Sequence, residues 1–95
     1  MTRFLYWGKF TPEFWRAICN DPADASSAFS QEAAQNDCSL DAFFFALEEF
    51  DFYVVLVGKN SFDLAMCRHR LMASGQFSAL HAEEISTFGE MFGER

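Results

Sequence analysis

The sequence has 95 residues, 14 of them acidic and 7 basic, with a formal net charge of −7. This length fits one domain over residues 1–95, and the charge disfavours direct contact with nucleic-acid phosphates or an anionic membrane. The composition is 51% hydrophobic and 18% aromatic, with 13 phenylalanines. A small interior cannot absorb so many rings, so we expect some on the surface, where an apolar patch usually marks an interaction site.

Cysteine usage favours a reducing compartment. Cys19, Cys38 and Cys67 are odd in number and show no CxxC spacing, which argues against a disulfide framework or a zinc site. Residues 1–7 do not resemble a signal peptide, and the apolar runs are too short to cross a bilayer. We therefore predict reduced thiols in a cytoplasmic protein.

Two segments predict strands, and caps and breakers predict helices between them. Residues 3–10 are aromatic and β-prone, with residues 4–9 as the expected sheet strand. The run Phe-Tyr-Val-Val-Leu-Val over 52–57 lacks alternation, which is typical of a strand buried on both faces. Thr11 and Pro12 begin the first helix, and Asn60 or Ser61 caps the fourth. The helices are expected over 12–19, 22–35, 40–50, 62–73 and 78–92.

This order, β-α-α-α-β-α-α, predicts an α+β domain that is mostly helical, with a two-stranded sheet. The two strands can pair in parallel through a right-handed crossover, and helices must cover so small a sheet. The alternative fuses residues 40–57 into one long helix and makes the protein all-α. We favour the strand because its residues suit a strand better and Asp51 stands at the joint.

The expected third helix predicts a binding patch. At 100° per residue its outward stripe contains Asp41, Glu48 and Glu49, and Phe45 falls among them. An aromatic side chain with an anionic rim is typical of a protein interface. The alternative is that another helix or a second protomer covers Phe45.

The expected last helix extends the acidic surface. Glu83 and Glu90 lie close in angle on it, although such acids are often only a solubilising face. The predicted partner-binding residues are therefore Asp41, Phe45, Glu48, Glu49, Glu83 and Glu90.

No pattern predicts catalysis, a metal or a cofactor. The chain lacks nucleotide-binding, hydrolase, metalloprotease and EF-hand motifs. His69 and His81 fall on apolar helix faces, as hydrogen-bonded core histidines do. Cys67 and His69 are two residues apart, so one helix cannot direct both to the same metal ion.

These observations predict a non-enzymatic, acidic protein-binding module. We expect an inhibitor of the toxin-immunity or phage anti-defence (anti-CRISPR) type that blocks a basic surface of a partner protein. The order of capped helix, acids and buried strand over 39–57 is similar to the centre of barstar-type inhibitors. The alternatives are a homo-oligomeric structural or assembly subunit, such as a homodimer that buries its surplus rings, and a small enzyme using Cys67 or His69.

Overall fold

The structure, a computed structural model, describes residues 1–93, in which four strands form one antiparallel sheet. The strands are β1 (Thr2–Phe10), β2 (Ser39–Phe45), β3 (Phe52–Gly58) and β4 (Phe77–Ile85). The helices of this part of the chain are α1 (Pro12–Asn20), α2 (Ala23–Gln35), α3 (Ser61–Ala73) and α4 (Phe88–Phe92).

The strand order across the sheet is β2-β3-β1-β4, so β1 is central and pairs with both β3 and β4. Helices α1 and α2 connect β1 to β2, a loop connects β2 to β3, and α3 connects β3 to β4. Counting α1 and α2 as one crossover, this β-α-β-β-α-β order is the ferredoxin-like arrangement.

The predicted two-stranded sheet is wrong, and the first reason is the stretch over 40–50. Its first half is β2, in which Phe43, Phe44 and Phe45 lie opposite Val54, Tyr53 and Phe52 of β3. The remainder is a loop over 46–51. Three consecutive aromatic residues suit a strand, and pairing with β3 outweighs the helix propensity of Leu40 and Ala42 in the same segment. The resemblance to barstar-type inhibitors depended on the helix and falls with it.

The second reason is the expected helix over 78–92. Its first part is β4, whose His81 lies opposite Trp7 of β1, and only α4 is helical. The pairing of β1 with β3 is antiparallel, so the predicted parallel crossover is wrong, as is the all-α alternative. Burial alternates along β3, so this strand is covered on one face rather than on both.

The local helix signals are confirmed. The Thr11 side chain accepts the backbone N–H of Phe14 over 3.3 Å, and Asn60 accepts that of Asp63 over 2.9 Å. Gly75 follows α3 with a φ of +79°, a conformation in which glycine costs least. Caps depend on residues within one turn of each other, which is why the sequence reveals them.

The core lies between the sheet and helices α1–α3. Phe29 of α2 packs against Phe52 and Phe77, with ring centroids 5.2 and 5.3 Å apart, and Phe10 lies 4.8 Å from Phe52. Each such ring contributes about 1.5–3 kcal/mol by leaving water. Strands β1 and β4 approach so closely that a Cβ on Gly8 would lie 2.0 Å from the carbonyl oxygen of Ala79. Only glycine fits there.

Candidate interaction surface

One face of the sheet is left uncovered by α1–α3, and we call it the open face. Along β3, Phe52, Val54 and Leu56 point into the core and are fully buried, whereas Tyr53 between them is 41% exposed. Side chains alternate along a strand, and directly opposite residues of an antiparallel pair share a face. The register therefore identifies the open-face residues of every strand.

Four rings, one from each strand, cross the open face at one level, and we call them the ring row. Phe44 lies opposite Tyr53, Tyr53 opposite Trp7, and Trp7 opposite His81. The Trp7 and His81 rings are stacked, with centroids 5.5 Å apart and planes at 27°. Phe44 is 63% exposed. The ring row thus places one aromatic side chain on each strand, from one sheet edge to the other.

Two residues from the ring row along each strand, the next row of open-face side chains is mainly aliphatic. It contains Ala42, Val55 and Leu5 from the first three strands, and Glu83 from β4. At the β4 end of the ring row, Phe50 of the β2–β3 loop meets the His81 ring edge-on, with ring centroids 6.0 Å apart. The open face is therefore predominantly apolar, whereas the sequence predicted an exposed ring surrounded by acids.

Helix α4 borders the open face at the Arg3 end of β1. Arg3 Nη1 lies 2.6 Å from Glu90 Oε2, and Glu90 also forms a capping box with Thr87. The Thr87 backbone N–H, followed by the Arg3 guanidinium, holds the pKa of Glu90 below its usual value. Phe88 and Phe92 of α4 touch each other and remain largely exposed. The helix thus adds apolar surface beside the open face.

Four of the predicted partner-binding residues stay together, on β2 and the loop that follows it. Asp41 is the extra residue of a β-bulge on this edge strand and is exposed. Glu48 and Glu49 are exposed in the loop. Phe45 points to the helix side, stacks on Trp15 at 6.2 Å and is 43% exposed. These residues form an acidic edge, and Phe45 faces away from the ring row.

The other two predicted residues lie elsewhere. Glu83 is on the open face opposite Leu5, and Glu90 is bound to Arg3. Because β4 and β2 are opposite edges of the sheet, the structure does not bring the six residues into one patch. The helix that would have aligned Glu83 with Glu90 does not form.

Sequence reasoning missed the residues of the ring row. Tyr53 sits in the segment interpreted as a doubly buried strand and Phe44 in one interpreted as a helix. Trp7 sits in the first strand, which was predicted as a strand but without an exposed face. The available signal was the alternation of Tyr53, Val55 and Val57 against Phe52, Val54 and Leu56, which two-sided burial would not require. The expectation that some rings remain exposed is confirmed.

The two side chains considered for catalysis, Cys67 and His69, differ in exposure. His69 is exposed on α3, which buries Leu64, Cys67 and Leu71 instead. Burial raises the pKa of Cys67 to about 12 and also raises the pKa of Cys38. Within residues 1–93, no three histidine, cysteine or acidic side chains are grouped so that they could hold a metal ion.

None of the helices described over 1–93 has the length and hydropathy needed to cross a membrane.

Comparisons with known proteins give a structural likeness. No protein-family profile and no curated protein matches the sequence. The fold is similar to the solution structure of the C-terminal domain of the MgtC protein from Mycobacterium tuberculosis, with a TM-score of 0.59 and 13% identity. The match covers 90% of this chain and 88% of that domain. At this identity, the likeness establishes the α+β fold and nothing about function.

Proposed function

We propose that this chain is a non-enzymatic protein-binding module and that its open face is the binding surface. The ring row carries the proposal, because it presents aromatic side chains from all four strands on a face without covering helices. Monomeric proteins rarely leave so large a contiguous apolar surface in water. Aromatic residues are also enriched among those that dominate the energy of protein interfaces.

The burial of Cys67, the thiol considered for catalysis, supports binding rather than catalysis. A nucleophilic cysteine needs a lowered pKa and access to solvent. Cys67 is fully buried, and its pKa is raised to about 12. The three free thiols also support a reducing, cytoplasmic location.

An inhibitor of the toxin-immunity or anti-defence type is the more specific form of this proposal. The acidic edge supports it, because Asp41 on β2 and Glu48 and Glu49 in the loop that follows are all exposed. A partner protein with a basic surface would be attracted there.

Affinity capture from the native host tests the proposal. The baits are the wild-type chain, Phe44→Glu on the open face, and Phe62→Glu as a matched control. Phe62 lies on α3, on the helix side, and is 71% exposed against 63% for Phe44. We expect the wild-type bait to capture a protein, and an untagged copy of this chain counts as one. Phe44→Glu should lose the captured protein, and Phe62→Glu should keep it. Equal capture by all three baits would contradict the assignment of the open face.

A further inference from the structure

The occupant of the open face follows from its charge and size, given the proposed function. We infer that a second copy of this chain covers the open face, with the two sheets packed face to face about a two-fold axis. In such an interface the same surface of each copy contacts that of the other copy. The charges on this surface must therefore balance, and the apolar residues of one copy must pack against those of the other. The open face satisfies both conditions.

The charges of the open face cancel. Among the described strand residues that point to it, Arg3 and Lys9 are basic and Glu83 is acidic. Arg3 is already bound to Glu90 of α4. These two cations and two anions sum to zero, so the net charge of −7 lies on the rest of the chain. A strongly basic partner would be drawn to that remainder, whereas a neutral apolar face suits its own copy.

The size of the open face also suits a dimer. Four strands about 4.8 Å apart, with seven to nine residues each at about 3.3 Å per residue, give a flat footprint of roughly 500 Å². The side chains that project from the sheet and the exposed rings of α4 add to this footprint. They bring the available area toward the ~800 Å² that each partner buries in a standard interface. Two packed sheets lie about 10 Å apart, which is enough for the two ring rows to interdigitate.

Sedimentation equilibrium tests the dimer over about 1–200 μM, a range that separates tight from weak association. The wild-type mass should be twice the 10.9 kDa of the chain. Phe44→Glu and Tyr53→Glu each place like charges against each other in the dimer, so their masses should fall to that of one chain. Phe62→Glu should keep the wild-type mass. Both open-face positions are solvated in the monomer, so far-UV circular dichroism should show all four proteins folded.

A wild-type protein that stays monomeric at every concentration would overturn the inference, and so would a dimer that survives both open-face substitutions. Loss of the dimer in Phe62→Glu to the same degree would also overturn it. The wild type could be monomeric while capture still finds a different protein, one that Phe44→Glu no longer binds. In that case the proposed function stands and only the inferred homodimer is wrong. If a single-stranded oligonucleotide binds and Phe44→Glu abolishes that binding, both fail, since bases can stack on exposed aromatic rings.

Discussion

Trp15 donates its indole N–H to Asp51 Oδ2 over 3.1 Å. The same carboxylate oxygen accepts the backbone N–H of Phe10 over 2.9 Å, and the Asp51 backbone N–H donates to the carbonyl of Gly8 over 2.8 Å. One residue at the end of the β2–β3 loop therefore ties that loop to both β1 and α1. The sequence indicated a joint at Asp51, and the structure shows that the joint connects two strands rather than a helix and a strand.

Asp51→Ala should lower the free energy of unfolding by about 1–3 kcal/mol. The substitution leaves the part-buried N–H groups of Phe10 and Trp15 without their acceptor, and an unsatisfied donor costs its full desolvation. Urea denaturation followed by tryptophan fluorescence measures the loss. Asp41→Ala is the matched control, because Asp41 is exposed and its removal should change stability by less than about 0.5 kcal/mol. Equal effects at both positions would show that the Asp51 hydrogen bonds add nothing to stability.

Phe45 and Phe44 are adjacent but should behave differently when truncated. Phe45 stacks on Trp15 and meets Phe43 edge-on at 5.0 Å, so Phe45→Ala should cost about 1–2 kcal/mol of folding free energy. Phe44 is more exposed, and Phe44→Ala should cost clearly less. Thermal unfolding at low protein concentration makes the comparison without a contribution from association.

This expectation reverses the one that a helical wheel gives, in which Phe45 is the solvent-facing ring. If Phe45→Ala leaves the melting temperature unchanged while Phe44→Ala lowers it, the strand orientation of β2 is wrong. Association should show the opposite order, with Phe44→Ala weakening it and Phe45→Ala leaving it intact.

The elements that the sequence reveals are those specified by neighbouring residues. Thr11 and Pro12 mark the start of α1. Asn60 and Gly75 mark the start and the end of α3, each lying within one turn of the helix end that it marks. Strand β1 is also specified by its own residues, because its aromatic side chains favour a strand.

Strands β2 and β4 depend on partners that are distant in the sequence. Phe77 pairs with Phe10, and Ser39 pairs with Val57. Their Ala, Leu and Glu residues favour a helix by well under 1 kcal/mol each, and pairing with a formed sheet exceeds that preference. The open face is not visible in the sequence for the same reason, because the ring row exists only after four separate strands align.

Cys19 should be the one thiol of the folded chain that reacts quickly with iodoacetamide. Cys19 is exposed, whereas Cys38 and Cys67 are buried and have raised pKa values. Mass spectrometry after brief labelling at pH 8 should show one adduct in the native protein and three in urea. Cys19→Ser should remove the fast native adduct. A second adduct formed at the Cys19 rate would contradict the burial of the other two thiols.

The raised thiol pKa also predicts how stability depends on pH. Folding holds the proton of Cys67 up to a pKa of about 12, whereas the unfolded chain releases it near the ordinary thiol pKa. The contribution of this thiol to stability is complete below the ordinary pKa and is lost as the pH rises toward about 12. Urea midpoints measured at increasing alkaline pH should therefore decrease. Removing the thiol with Cys67→Ala should make this decrease shallower.

Reversing the charge of the acidic edge distinguishes formation of the homodimer from binding to a basic partner protein. Glu48→Lys with Glu49→Lys should leave the mass of the homodimer unchanged, because the loop acids lie outside the set of open-face residues and exposed charge pairs contribute about 0–1 kcal/mol. Association with a basic partner protein found by capture should slow, and the defect should shrink at high salt because screening weakens steering.

The matched control for that variant is Glu13→Lys with Glu84→Lys, which makes the same change in net charge at two exposed positions away from the β2–β3 loop. If both double variants slow association equally, only the total charge matters and the acidic edge is no specific site. If the loop variant alone is slow, the basic partner meets β2 and its loop. Loss of the homodimer in the loop variant alone would instead mean that the two copies meet at the β2 edge and not across the ring row.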